Sequence, residues 1–161
     1  TDRMEQEITE YVTRLSNQQL TAATSVRLRS FMNICNDLER IGDIYFQMYK
    51  TIENKNSNKL YFTPEQRNGL LKVMDLVDDA FTIAIENLNT PEYNNVSVEK
   101  ASLKENEINK QRDKLRQFNL DMLKKPDYNV NSAMIFTNMF SSLEKVGDHL
   151  INISEAVVGE I

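Results

Sequence analysis

Two seven-residue phrases, set 105 positions apart, hold the side chains best suited to chemistry. One reads Asp37-Leu38-Glu39-Arg40-Ile41-Gly42-Asp43; the other reads Ser142-Leu143-Glu144-Lys145-Val146-Gly147-Asp148 and runs on into His149, the single histidine of the chain. In each, Glu and Asp stand four residues apart, so on a helix their carboxylates lie one above the other and converge where a cation could bridge them. On a helical wheel they fall roughly 140–180° from the centre of the apolar stripe, so they are expected to face outward, toward solvent or a partner. The phrase is locally unfavourable. A mid-helix glycine costs about 1 kcal/mol relative to alanine, and like charges at this spacing repel. Gly42 and Gly147 then serve either close packing of a neighbouring helix or room for an ion or ligand. His149 has three readings: a nitrogen ligand, a pH-sensitive group or a surface residue. A ferritin-like di-iron site would need Glu-x-x-His, but Glu144 and His149 are five apart, and no nucleophile with a base or glycine-rich phosphate loop is present in the sequence. The chain is not expected to be a catalyst.

The elements that must position these phrases are helices. Phe31, Ile34, Leu38, Ile41, Tyr45, Met48 and Ile52 alternate steps of three and four, which predicts a long amphipathic helix over about 20–53. Phe136, Met139, Leu143, Val146, Leu150, Ile153 and Val157 repeat that stripe 105 positions on, an internal duplication. Between them, Thr63-Pro64-Glu65-Gln66 predicts a helix start with Thr as N-cap and Pro at the first helical position. That helix should bury Leu70, Val73, Val77, Ala80, Ala84 and Leu88 and stop at Thr90-Pro91. A further helix over 96–124 has Ala101, Ile108, Leu115 and Met122 at heptad spacing. The scattered methionines read as core packing.

Residues 64–161 thus make a complete three-helix unit, residues 54–63 a connector, and residues 1–53 a partial unit of two helices joined near Leu15 to Leu20. Met4 pairs with Ile108 at 104 positions, which sets the short first helix opposite the middle helix of the second unit. The first unit then lacks its opening helix, so Phe31, Leu38, Tyr45 and Ile52, or the flank of Cys35 and Phe46, should lack cover. A homodimer with a two-fold axis near the first unit is the expected remedy. The opening Thr1-Asp2-Arg3, already inside a helical pattern, reads as a piece of something longer.

Composition narrows the rest. Only 4 Gly and 3 Pro argue against a turn-rich sheet protein. A net charge of −5 argues against nucleic acid. One Cys excludes a disulfide scaffold or thiolate zinc site and suits a reducing compartment, so the cytoplasmic side is favoured. No run approaches the roughly 20 apolar residues of a membrane span.

At the paired phrases the sequence resembles the PhoU family, whose tandem three-helix units each carry a Leu-Glu-Arg-Ile-Gly-Asp-His type phrase in the last helix. Glu144 through Asn152 matches closely, whereas Ile44 and Gln47 stand where the family has His and Asn. Asp37-Leu38-Glu39, Leu60-Tyr61-Phe62-Thr63-Pro64-Glu65 and Ile153-Ser154-Glu155-Ala156 look more narrowly like the cytoplasmic PhoU-like tail of bacterial sodium/phosphate cotransporters. The resemblance implies an all-α, PhoU-like tandem three-helix bundle of long antiparallel helices, incomplete in its first repeat. It implies a regulatory role in phosphate uptake, at the cytoplasmic face of the inner membrane, with the transporter domain of the same parent chain as partner. It also implies a divalent or ferric cation on surface carboxylate pairs, with Glu39, Asp43, Glu105, Glu144, Asp148 and His149 as candidate ligands. In the family a second acidic pair on the middle helix completes each metal cluster; here those positions are Thr1 with Glu5 and Glu105 with Asn109, so each pair has lost one carboxylate. A purely structural oligomerisation bundle is the alternative, and a carboxylate-bridged metalloenzyme a more distant one.

Overall fold

The computed structural model describes residues 2–16, 20–90 and 95–159. Among these are five helices and no strand: α1 (Asp2–Ser16), α2 (Ala22–Ser57), α3 (Pro64–Leu88), α4 (Val98–Leu123) and α5 (Val130–Val158). The class is all-α, as the stripes and the scarcity of Gly and Pro required. α3, α4 and α5 pack against one another as one three-helix unit, α2 lies along α5, and α1 folds back on α2 and packs on no other helix among the described residues. α5 is therefore the central element.

Its sequence explains that place. Phe136, Phe140, Met139, Leu143, Val146 and Ile153 are all fully buried, and they point in more directions than one neighbour could cover. Phe136 meets Phe62, Phe118 and Phe140 edge-on, with ring centroids 5.9, 6.3 and 5.2 Å away, the geometry that aromatic quadrupoles favour.

Helix ends hold the unit in register. Thr63 and Gln66 form the expected capping box, and the buried Gln66 amide donates to Tyr128 Oη at 2.5 Å. Tyr128 in turn donates to Asn119 Oδ1 at 2.7 Å, and Asn119 Nδ2 donates to Thr137 Oγ1 and to the Ala133 carbonyl. At the opposite end the buried Asn87 accepts from the Ser97 amide at 3.0 Å and donates to Ser154 Oγ at 3.1 Å, tying α3 to the start of α4 and to α5. Polar groups this deep cost little only because each has a partner. Pro91, expected to stop α3, lies outside the described residues; the helix is already capped at Asn89.

α2 runs four residues past the expected end at 53. Its terminus is a Schellman motif, with the Leu60 amide on the Lys55 carbonyl at 2.9 Å and the Lys59 amide on that of Asn56 at 3.0 Å. Lys59 takes the left-handed conformation, φ 52°, that glycine usually supplies there, so no glycine marks the stop. Along α2 the buried apolar side chains are Ile41 and Met48, while Phe31, Leu38, Tyr45, Phe46 and Ile52 are exposed.

Candidate functional site

The second phrase lies at the seam between α4 and α5. A Cβ on Gly147 would stand 2.9 Å from Ile108 Cδ1 of α4, so the bare backbone here serves close helix packing. That approach lays α4 over the carboxylates. Glu105, Asn109 and Arg112 follow one another at i, i+4 and i+7 and so share one face of α4. Arg112 Nη1 donates to Glu144 of α5, and its Nε donates to Asp113 Oδ1 at 2.9 Å; the Arg112 and Glu144 side chains are only 18% and 16% exposed. Asn109 Nδ2 donates to Glu105, while Asn109 Oδ1 is buried without a hydrogen-bond partner.

Asp148 completes the cluster. Burial holds its carboxyl above the usual carboxylate range, the charges of Glu144 and Glu105 push the same way, and His149 and Arg112 pull against them. Glu105, Glu144 and Asp148 are thus brought together, but not as an outward-facing pair. Glu144 and Asp148 are largely covered because α5 is flanked by α2, α3 and α4 and has almost no free face. Wheel geometry located the core stripe correctly and misjudged how much of the remaining circumference neighbouring helices would take.

The polar groups beside these carboxylates are a cation and an amide rather than further acids. Arg112 supplies the positive charge, Asn109 replaces a carboxylate, and among the described residues no three His, Cys, Asp or Glu side chains are placed to share one ion.

The first phrase is more open. Asp43 is exposed and Glu39 half-buried. Cys35, one turn before Glu39 on the same face, has its thiol pushed up by burial and then by the charge of Glu5 on α1. Thr1, which the resemblance pairs with Glu5, lies outside the described residues.

His149 is not a free surface residue. Its Nδ1 lies 2.7 Å from Asp37 Oδ1 of α2, with both side chains largely buried, so the contact joins the two phrases to each other. The positions that the duplication relates to Asp37 and His149 are Ser142 and Ile44, which can form no such pair. Arg112, and the role of Asp37 as partner of His149, escaped the sequence reading. Arg112 could have been found, since it follows Glu105 by one heptad on the same face; Asp37 could not, because it meets His149 only through the docking of α2 on α5.

Comparison with known proteins adds one match. The PhoU domain family model covers residues 1–57 and 70–157. Neither the curated proteins nor the solved structures yield a match.

Proposed function

This chain belongs to the PhoU domain family, and from that membership we propose that it is a non-catalytic regulatory module of phosphate homeostasis that acts through protein contacts. More narrowly, we read it as the cytoplasmic regulatory part of a sodium-coupled phosphate transporter, held at the inner face of the membrane by the transporter domain of its parent chain. No helix among the described residues is long and apolar enough to cross a membrane, so any such attachment comes from elsewhere. The observation that carries the regulatory reading is the family match over both units, with its two signature phrases joined through Asp37 and His149. A partner that displaced α2 from α5 would have to part that contact. Regulation by movement of one unit against the other therefore has a defined place to act.

Phosphate uptake tests the reading. Radiolabelled phosphate entry and the phosphate-starvation response are measured in cells lacking the gene and in cells complemented with the native chain or Asp37→Ala. Loss of the gene should change uptake several-fold, and Asp37→Ala should restore it only in part. Unchanged uptake and an unchanged starvation response on deletion would remove the phosphate reading. The transporter link is tested separately by affinity purification of the native protein from membranes; absence of a phosphate transporter there would remove that part alone.

A further inference from the structure

We propose that the trough between α2 and α3 receives an acidic amphipathic helix of a partner protein, an inference that rests on reading this chain as a module that acts through protein contacts. The partner's apolar side chains seat in the trough, and its carboxylates meet Lys55 and Arg67. The trough follows from the way the helices are arranged. α2 and α3 both lie against α5, yet their backbones do not approach each other closely, and a space of about 300 Å³ remains between them. Its floor is Leu70 of α3 and Met139 of α5, both buried. Phe62 stands at the end where the connector joins the two helices. Farther along, Tyr45 of α2 meets Phe81 of α3 with ring centroids 6.4 Å apart and bounds the trough on that side. Unlike the open flank of α1 and α2, this feature has its walls, floor and connector end among the described residues.

Its dimensions suit a helix. Arg67, Leu70, Leu71 and Met74 line the α3 wall. From Arg67 to Met74 that wall runs about 10 Å at 1.5 Å per residue, or two turns, over which a docked helix presents apolar side chains at i, i+3 or i+4 and i+7. The rim is apolar as well: Leu71 is 57% exposed and Ile52, on the facing wall, 40%. Met74 and Met139 put flexible thioethers where a guest side chain would press, and these adapt to its shape.

Charge selects the partner. Lys55, on α2, holds its Nζ 5.0 Å from the centroid of the Phe62 ring and 5.9 Å from that of Tyr61, so aromatic faces keep the cation in place at the trough and less freedom is lost when an anion meets it. Arg67, on α3, is exposed. The nearby Glu65 carboxylate is held chiefly by its own backbone amide and by Thr63, with Arg67 the least of its attractions, which leaves the guanidinium to a partner. Residues 50–75 carry five basic and three acidic side chains, a net charge of +2 in a chain of net charge −5. The two cations stand on opposite walls, which matches carboxylates flanking an apolar stripe on both its sides better than it matches one lipid headgroup. A lone acyl chain would leave Leu71 and Ile52 in water, whereas a helix about 10 Å across covers both rims. A flat bilayer surface does not enter a bounded trough.

A display library of helix-forming peptides about 16 residues long, selected on the purified 161-residue chain, decides the matter. Enriched peptides should carry apolar residues at i, i+3 or i+4 and i+7 with Asp or Glu on both flanks. The consensus peptide, made synthetically, should saturate the native protein in a fluorescence anisotropy titration. Lys55→Glu with Arg67→Glu should weaken it at least about tenfold while the helical circular dichroism is retained. Leu71→Glu, at the exposed rim, should weaken it as much, and Leu103→Glu, equally exposed but on α4, should leave it unchanged. No enrichment, enrichment of basic or unpatterned peptides, or an affinity that these trough substitutions leave intact would overturn the proposal. So would a chain that takes none of the peptides and binds vesicles of anionic lipid through Lys55 and Arg67, since the face would then belong to a membrane. Binding is read without phosphate, so unchanged uptake on deletion of the gene removes the phosphate reading and leaves the trough, while a failed selection removes the trough and leaves the uptake result standing.

Discussion

The two halves of this molecule carry the same stripe and treat it differently. Phe31 and Phe136 are the same residue at matched positions of α2 and α5, yet Phe31 is half-exposed and Phe136 lies among three other aromatic rings. Periodicity sets which residues share a face of a helix; only the count of neighbouring helices sets whether that face becomes core. The carboxylate phrases obey the same rule. Asp43 on α2 is exposed, while its counterpart Asp148 on α5 is half-buried, with its proton held more tightly than usual.

The comparison breaks most directly at the phenylalanines. Phe136→Ala should cost about 3–5 kcal/mol in chemical denaturation, because it removes a fully buried ring and leaves a cavity that the packed helices fill only partly. Phe31→Ala, measured in dilute monomer, should cost under about 1 kcal/mol, as expected of a side chain with so few neighbours. Equal losses would mean that Phe31 is covered in the monomer and that the halves are alike.

A second difference lies in the guanidinium. Arg112→Gln should destabilise the protein by about 2 kcal/mol, since it leaves Glu144 mostly buried beside Asp148 and Glu105 with no cation to offset them. In that variant calcium or manganese should raise Tm, because binding to the folded state alone is stabilising, while the native protein should gain little. A native protein that gains as much as the variant would show that Arg112 yields the carboxylates to metal, which would return Glu144 and Asp148 to the role their resemblance implied.

How far these features could be read beforehand follows from the distance over which each is determined. The stripes, the duplication and the Thr63–Gln66 capping box are set within a turn or two of helix, and they stand where the sequence placed them, except that at the end of α3 the expected core residue Leu88 is exposed and Asn87 is buried in its stead, held by Ser97 and Ser154. The uncovered crest of α2 was legible too, because counting helices in each unit needs no tertiary detail. The end of α2 was not, since Lys59 takes a backbone conformation that no residue type announced. The Arg112–Glu144 and Asp37–His149 contacts span 32 and 112 positions and arise only when whole helices dock. His149 was visible as a singular residue; its partner was not.

The smallest expected effect probes the charge at the α4–α5 seam. Asp148 binds its proton more tightly in the folded chain than in the unfolded one, chiefly through burial and then through Glu144 and Glu105. Between the ordinary carboxylate value and the raised one, the native state therefore holds more protons than the unfolded state, and stability falls as pH rises through that window. Above it the loss is complete; below it the group costs nothing. Asp148→Asn removes this term, so the variant should match the native protein in acid and exceed it in Tm at neutral pH. Asp43→Asn, at the exposed counterpart, should shift neither curve. Denaturation from acid to neutral pH for all three proteins reads the difference. A neutral-pH loss on Asp148→Asn would mean that the attraction of Arg112 and His149 outweighs burial and the two neighbouring carboxylates, and the contrast between the phrases would then rest on cations rather than on cover.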